Sequence, residues 1–170
     1  MATTPSRSEE LQELAGLIKD IRVAMLTTQA ANGWLVSRPL HTRDTGFDGE
    51  LWFFVAVESG KVDELLAHPQ VNVAYVDPGE QHYVSIAGEA SIVRDRERID
   101  ALWNDKLDTL YFKGGKDDPS LVLLRVLVQT AEVWNAGDNA LSRAYNFVSA
   151  MVTGDGERMG ERHRVDLRRH

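Results

Sequence analysis

The chain has 170 residues, 43% of them hydrophobic and 26% charged, and it contains no cysteine. That length and composition suit one globular domain. The missing cysteine excludes disulfide scaffolds, thiolate metal sites, iron–sulfur clusters and Cys nucleophiles. The formal net charge of −7 argues against nonspecific nucleic-acid binding, which needs a positive surface, but leaves room for a local basic pocket.

Residues Met1 to Glu10 are polar and hold no apolar signal core. No window approaches the run of about 18 apolar residues that a membrane helix needs. A cytoplasmic protein without a membrane partner is therefore expected. Ser6 and Glu9 have the spacing of a capping box, and Leu11, Leu14, Leu17 and Ile18 recur at helical spacing. These predict a helix over residues 8–20. Val23 to Thr28 reads as a buried strand, Ala31-Asn32-Gly33 as a hairpin turn, and Trp34 to His41 as the returning strand. Pro39 cannot donate to a ladder, so that strand is an edge or is bulged.

Leu51 to Val57 is a strongly β-prone run, followed by a short helix that Ser59 would cap and His68-Pro69 would end. Val71 to Val76 and Gln81 to Ala87 are the next strands, with a bulge or bend expected at Gly88 before Glu89 to Val93. Asp95 caps a helix holding Ile99, Leu102 and Trp103. Lys106 to Ser120 is polar and reads as a loop or lid. Leu121 to Val128 and Ala131 to Asn135 read as two strands joined at Gln129-Thr130, and a helix is expected from about Asn139 to Met151. The organisation expected is one domain over 1–153 and a flexible, Arg-rich tail over 154–170. Many short strands with few long helices between them predict a mainly β protein with peripheral α, built as a small antiparallel barrel.

The motif search is mostly negative. No G-x-G-x-x-G follows a strand, Gly114-Gly115-Lys116-Asp117 lacks P-loop spacing, and there is no G-x-S-x-G elbow. The histidines show no metal-ligand spacing, so no metal is expected. Two places carry more. Arg38, within Ser37-Arg38-Pro39, brings a guanidinium fork to a strand, where it suits a phosphate. Ser59-Gly60-Lys61 stands where a strand hands over to a helix, so amides, a hydroxyl and an ammonium can converge on one anion. Taken singly each signal is weak: Arg38 also reads as one half of an ion pair on the barrel, and Ser59 as an ordinary N-cap, the commoner case. Trp34, Trp52, Phe53, Phe54 and Trp134 are either core or a planar pocket.

Taken in order, Met25-Leu26-Thr27-Thr28, Ser37-Arg38-Pro39-Leu40, Leu51-Trp52-Phe53-Phe54 and Ser59-Gly60-Lys61 resemble the pyridoxamine 5′-phosphate oxidase-like flavin-binding split-barrel family, most nearly its general-stress-protein branch. His68 to Tyr75, Tyr83 to Gly88, Gly114 to Pro119 and Ala131 to Trp134 extend the likeness over roughly residues 10–150. The resemblance implies a six-stranded antiparallel split barrel and a homodimer with FMN at its interface, FAD or a deazaflavin being alternatives. It implies that Arg38 meets the flavin's polar edge or phosphate, and that Ser59, Gly60 and Lys61 meet the phosphate. Ser37, Pro39, Leu40, Phe53, Phe54 and Val55 would line the ring through backbone or side chain. His41 is a nearby polar candidate, with Gln81 beside it, and Trp134 would reach in from the second subunit. The vitamin-oxidising members carry an Arg and a His where this chain has Ala140 and Ser142. That departure removes the contacts for a phosphorylated pyridoxine. The functions implied are an FMN-dependent oxidoreductase of the stress response, a non-catalytic flavin carrier or sensor, and, last, pyridoxamine-phosphate oxidation.

Overall fold

The computed structural model describes residues 7–43, 46–135 and 161–166. Its elements are α1 (Arg7–Ile18), β1 (Val23–Gln29), β2 (Leu35–His41), β3 (Glu50–Ala56), α2 (Gly60–Ala67), β4 (Gln70–Asp77), β5 (His82–Val93), α3 (Arg96–Leu102), α4 (Asp105–Asp108), β6 (Leu121–Asn135) and β7 (Glu161–Asp166). The sheet runs β2-β1-β4-β5-β6-β3, with every ladder antiparallel. Six strands curl into a half-barrel with few helices, the split-barrel architecture expected.

Alternation drives the curl. In β1, Ala24, Leu26 and Thr28 are buried while Val23 and Met25 are exposed, as a strand with one covered face requires. The concave face holds the main core: Leu26, Phe53, Val55, Val73, Tyr75, Ile86, Val122, Leu124 and Val126, roofed by Leu14 and Ile18 of α1 and by Val62 and Leu65 of α2. β3 and β6 bury both faces. Their other sides, Trp52, Phe54, Leu121 and Leu123, pack with Ile99 of α3 and with Phe112 into a second cluster. That explains the Trp52-Phe53-Phe54 run, because adjacent residues of one strand serve two cores.

Several expectations are adjusted. β2 is the outer strand of the path, which is where Pro39 is tolerated. The bulge falls at Ala87/Gly88, where the register against β6 shifts. A Cβ on Gly88 would lie 2.6 Å from the Leu127 carbonyl oxygen, so only glycine fits the crossing. The two strands expected either side of Gln129-Thr130 are one continuous strand: Ala87 pairs Thr130 and Gly88 pairs Val128, leaving Gln129 as the extra residue of the bulge. The stretch Lys106 to Ser120, expected to be a loop or lid, contains most of α4, capped by the Asn104 side chain, and a 3-10 turn over Gly115–Asp117. Within the C-terminal stretch, Glu161–Asp166 pair with Thr130–Asn135 as β7. Ser6, the expected helix at 139–151 and the rest of the C-terminal stretch lie outside the described residues.

Candidate functional site

Arg38 sits on the core-side face of β2, in register with Leu26, at the open edge where α2 packs. An unpaired cation there would be costly. The structure meets that cost with Glu64 and Thr28, two partners the sequence reading missed. Arg38 Nη1 donates to Thr28 Oγ1 at 2.7 Å and lies 2.8 Å from Glu64 Oε2, while Nη2 donates to Glu64 Oε1 at 2.9 Å. Thr28, only 1% exposed, donates its own hydroxyl to Glu64 Oε2 at 2.5 Å. The two hydrogen bonds, chiefly that from Arg38, hold the Glu64 carboxyl below its ordinary range. The ion-pair reading of Arg38 thus holds, and Arg38 keeps 26% of its side chain exposed.

Lys61 opens α2 one turn from Glu64. Burial first, and the nearby positive charge of Arg38 second, push its pKa below the usual lysine value. A half-buried ammonium made less comfortable by a guanidinium is a place where an anion is welcome. The first amides of α2 have no acceptor within the helix, and a Cβ built on Gly60 meets nothing within 4 Å. Ser59 occupies the N-cap with extended backbone, but its hydroxyl donates to the Ala56 carbonyl at 2.6 Å instead of capping the helix.

The other expected site residues divide between faces. Ser37 and Pro39 are exposed on the convex side of β2, Ser37 bonded to Thr27 Oγ1 at 2.7 Å. Leu40 turns to the main core. His41 faces outward with Tyr111 nearby, ring centroids 6.1 Å apart. Phe53 and Val55 are 0% and 2% exposed in the barrel core, so their side chains cannot line a ligand and only their backbone is open to that role. Phe54 belongs to the second cluster, against Trp103 and Phe112. Trp134 stands opposite Tyr83 on the convex face, in the β5–β6 ladder.

A second buried ion pair also escaped the sequence reading. Arg43 donates from Nη1 to Asp108 Oδ2 at 2.9 Å and from Nη2 to Oδ1, and its guanidinium lies 4.2 Å from the centroid of the Phe54 ring. It ties α4 to the barrel. Beside it, a cavity of about 770 Å³ opens between the end of α1 and the β2–β3 connection, with Lys19, Arg22, Glu50 and Tyr75 among its walls. Tyr75 is buried without a hydrogen-bond partner among the described residues, and burial raises its pKa.

The model of the family described as "pyridoxamine 5′-phosphate oxidase like" matches residues 9–157. The chain belongs to the pyridoxamine 5′-phosphate oxidase like family. Within reach of this family member is Protein bli-3 of Neurospora crassa, 26% identical over 155 residues, which are 86% of this chain and 74% of that protein. General stress protein 26 of Bacillus subtilis is 33% identical over 84 residues, 48% of this chain and 59% of that protein. Among solved structures, a general stress FMN/FAD binding protein of Xanthomonas citri superposes with a TM-score of 0.65 at 28% identity, covering 76% of this chain and 92% of the other. No helix among the described residues is long and apolar enough to cross a membrane.

Proposed function

We propose that this member of the family is an FMN-binding general stress protein that works as a flavin-dependent oxidoreductase in a homodimer. The observation that carries the reading is the bond from Arg38, on an edge strand, to Glu64 of α2, one turn from Lys61 at the start of that helix. It holds the strand cation to the helix that carries the second one, near enough for the Arg38 charge to lower the Lys61 pKa, and two cations beside a helix N-terminus suit a phosphate tail. The family membership and the Xanthomonas relative's flavin support it.

The residues present fit FMN. Arg38 and Lys61 would hold the phosphate, with the Gly60 and Lys61 amides beside them and Ser59 able to turn its hydroxyl toward it. The backbone of β2 and β3 at Leu40 and Phe53 to Val55 would border the ring. When bound, the flavin supplies the electron transfer between donor and acceptor. The chain's own contribution is to grip, orient and keep water from one side. No side chain here need move a proton.

The convex face supports the homodimer. Pro39, Met25, Ala74, Ser85 and Glu132 stand in one row across five strands. Beside that row, Val23, Val76 and Tyr83 are 44%, 49% and 43% exposed. The apolar side chains exposed on this face, set among polar ones such as Ser37, Ser85 and Glu132, suit a second copy, and Trp134 lies on it beside Tyr83. The experiment is to assay the FMN-loaded protein for steady-state oxidation of a reduced nicotinamide with added electron acceptors. Sustained turnover is expected. Tight FMN binding without turnover would instead establish a carrier.

A further inference from the structure

We infer that Glu64 is a positioning residue: together with Thr28 it clamps one end of the Arg38 guanidinium so that the Nε/Nη2 edge is the one offered to a phosphate. The inference rests on the phosphate reading above and goes beyond it, because a carboxylate inside an anion site is not something that reading requires.

The argument is a count of N–H groups. Arginine has five, fixed in a plane. Contacts with Thr28 Oγ1 and Glu64 Oε2 occupy Nη1, and Glu64 Oε1 takes one N–H of Nη2. Among the described residues the structure gives no acceptor to Nε–H or to the second N–H of Nη2. Those two point the same way along one edge, a spacing that accepts two oxygens of one phosphate. The occupied end faces into the fold: Thr28 is buried, and its hydroxyl both accepts from Arg38 and donates to Glu64. The three groups close a ring of hydrogen bonds that leaves the guanidinium little freedom.

Glu64 also lies three residues from Lys61 on α2, hence on the same helix face. The clamp therefore ties the strand cation to the helix that carries the second cation.

Two physical effects oppose each other here, and they predict opposite results. Simple charge counting says that removing a carboxylate from beside a phosphate should tighten binding. Preorganisation says that a released Arg38, a long side chain with several rotatable bonds, must be ordered again at each binding event. A hydrogen-bonded ring on a buried threonine favours the second.

The test is titration of the full-length wild type, Glu64→Ala, Glu64→Gln and Thr28→Val with FMN and, separately, with riboflavin, which lacks the phosphate, following quenching of flavin fluorescence. Glu64→Ala and Thr28→Val should each weaken FMN, Glu64→Ala by about tenfold, the equivalent of one long side chain left to be immobilised. Riboflavin affinity should not change. Glu64→Gln, whose amide oxygen still accepts from Arg38, should recover part of the loss. Tighter or unchanged FMN binding in Glu64→Ala would overturn the inference, as would an equal loss for FMN and riboflavin, which marks general damage to the fold. A wild type that binds FMN no better than riboflavin would bring down the phosphate reading itself, and this inference with it. Thermal unfolding of each variant without ligand confirms that folded protein is being compared.

Discussion

Replacing Arg43 by methionine should be among the most damaging single changes in this protein outside the apolar core. Asp108 has 0% of its side chain exposed and Arg43 only 8%. Three donors reach the Asp108 carboxylate: the two terminal nitrogens of Arg43, and the Asn104 amide at 2.8 Å. Methionine preserves much of the aliphatic stem but removes two of those donors and the positive charge. A buried carboxylate then remains with one neutral N–H. Breaking a buried pair in this way costs about 3–5 kcal/mol, a large part of the 5–15 kcal/mol by which domains are usually stable. At about 2–4 °C per kcal/mol for a chain of this size, Tm should fall by roughly 6–20 °C. Urea unfolding followed by circular dichroism measures the loss, with an unchanged slope showing that the two end states are the same. Adding Asp108→Asn to Arg43→Met should restore part of the stability, because the amide is neutral and still accepts from the Asn104 N–H. A loss below about 1 kcal/mol in the single variant would mean that Asp108 finds water and that the clamp on α4 is a surface pair.

Three further outcomes follow from the structure. Lys61→Met should weaken FMN by about 10- to 150-fold, the 1.5–3 kcal/mol of one charge-assisted contact, with riboflavin unaffected; equal affinities for FMN in variant and wild type would remove Lys61 from the site. Because burial and Arg38 lower the Lys61 pKa in the free protein while a bound phosphate favours its charged form, FMN affinity should be full where Lys61 is protonated. It should begin to fall as the pH rises through the Lys61 pKa of the free protein, which lies below 10.5, read as the ratio of FMN to riboflavin affinity, and a flat ratio would contradict this. Gly88→Ala should cost about 1–3 kcal/mol through overpacking, since its Cβ would meet the Leu127 oxygen and Val126 Cγ1 at 2.6 and 2.8 Å; an unchanged urea midpoint would show that the bulge can open.

The strands were legible because burial on one face imposes a period of two. Val23 to Thr28 is an exception, since its apolar run reads as a buried strand while the structure buries Ala24, Leu26 and Thr28 and leaves Val23 and Met25 exposed; Pro39 marked the edge. The joint read at Gln129-Thr130 was a true irregularity given the wrong form: Gln129 is the extra residue of a bulge that continues one strand, and its polar character mimics a turn. α4 was hidden because it is only four residues long and its anchor, Arg43, lies far from it in sequence, and no local period signals a contact across 65 residues. The same holds at the site. Arg38 and Lys61 stood out locally, as residue types unusual for a strand and fitting for a helix start. Thr28 and Glu64 did not, although Glu64 stands three positions after Lys61, the spacing of one helix face. What could not be read was the direction of β3. Phe53 and Val55 belong to a strand covered on both sides, so a continuous apolar run gave no sign of which core each side chain enters.

The central claim is that an anionic tail is gripped by Arg38 and Lys61. Titration of purified wild-type protein with FMN, and in parallel with riboflavin, tests it most directly. Saturable FMN binding, one per chain and clearly tighter than riboflavin, is the result predicted. Equal affinity for the two, or no uptake of either, would contradict it.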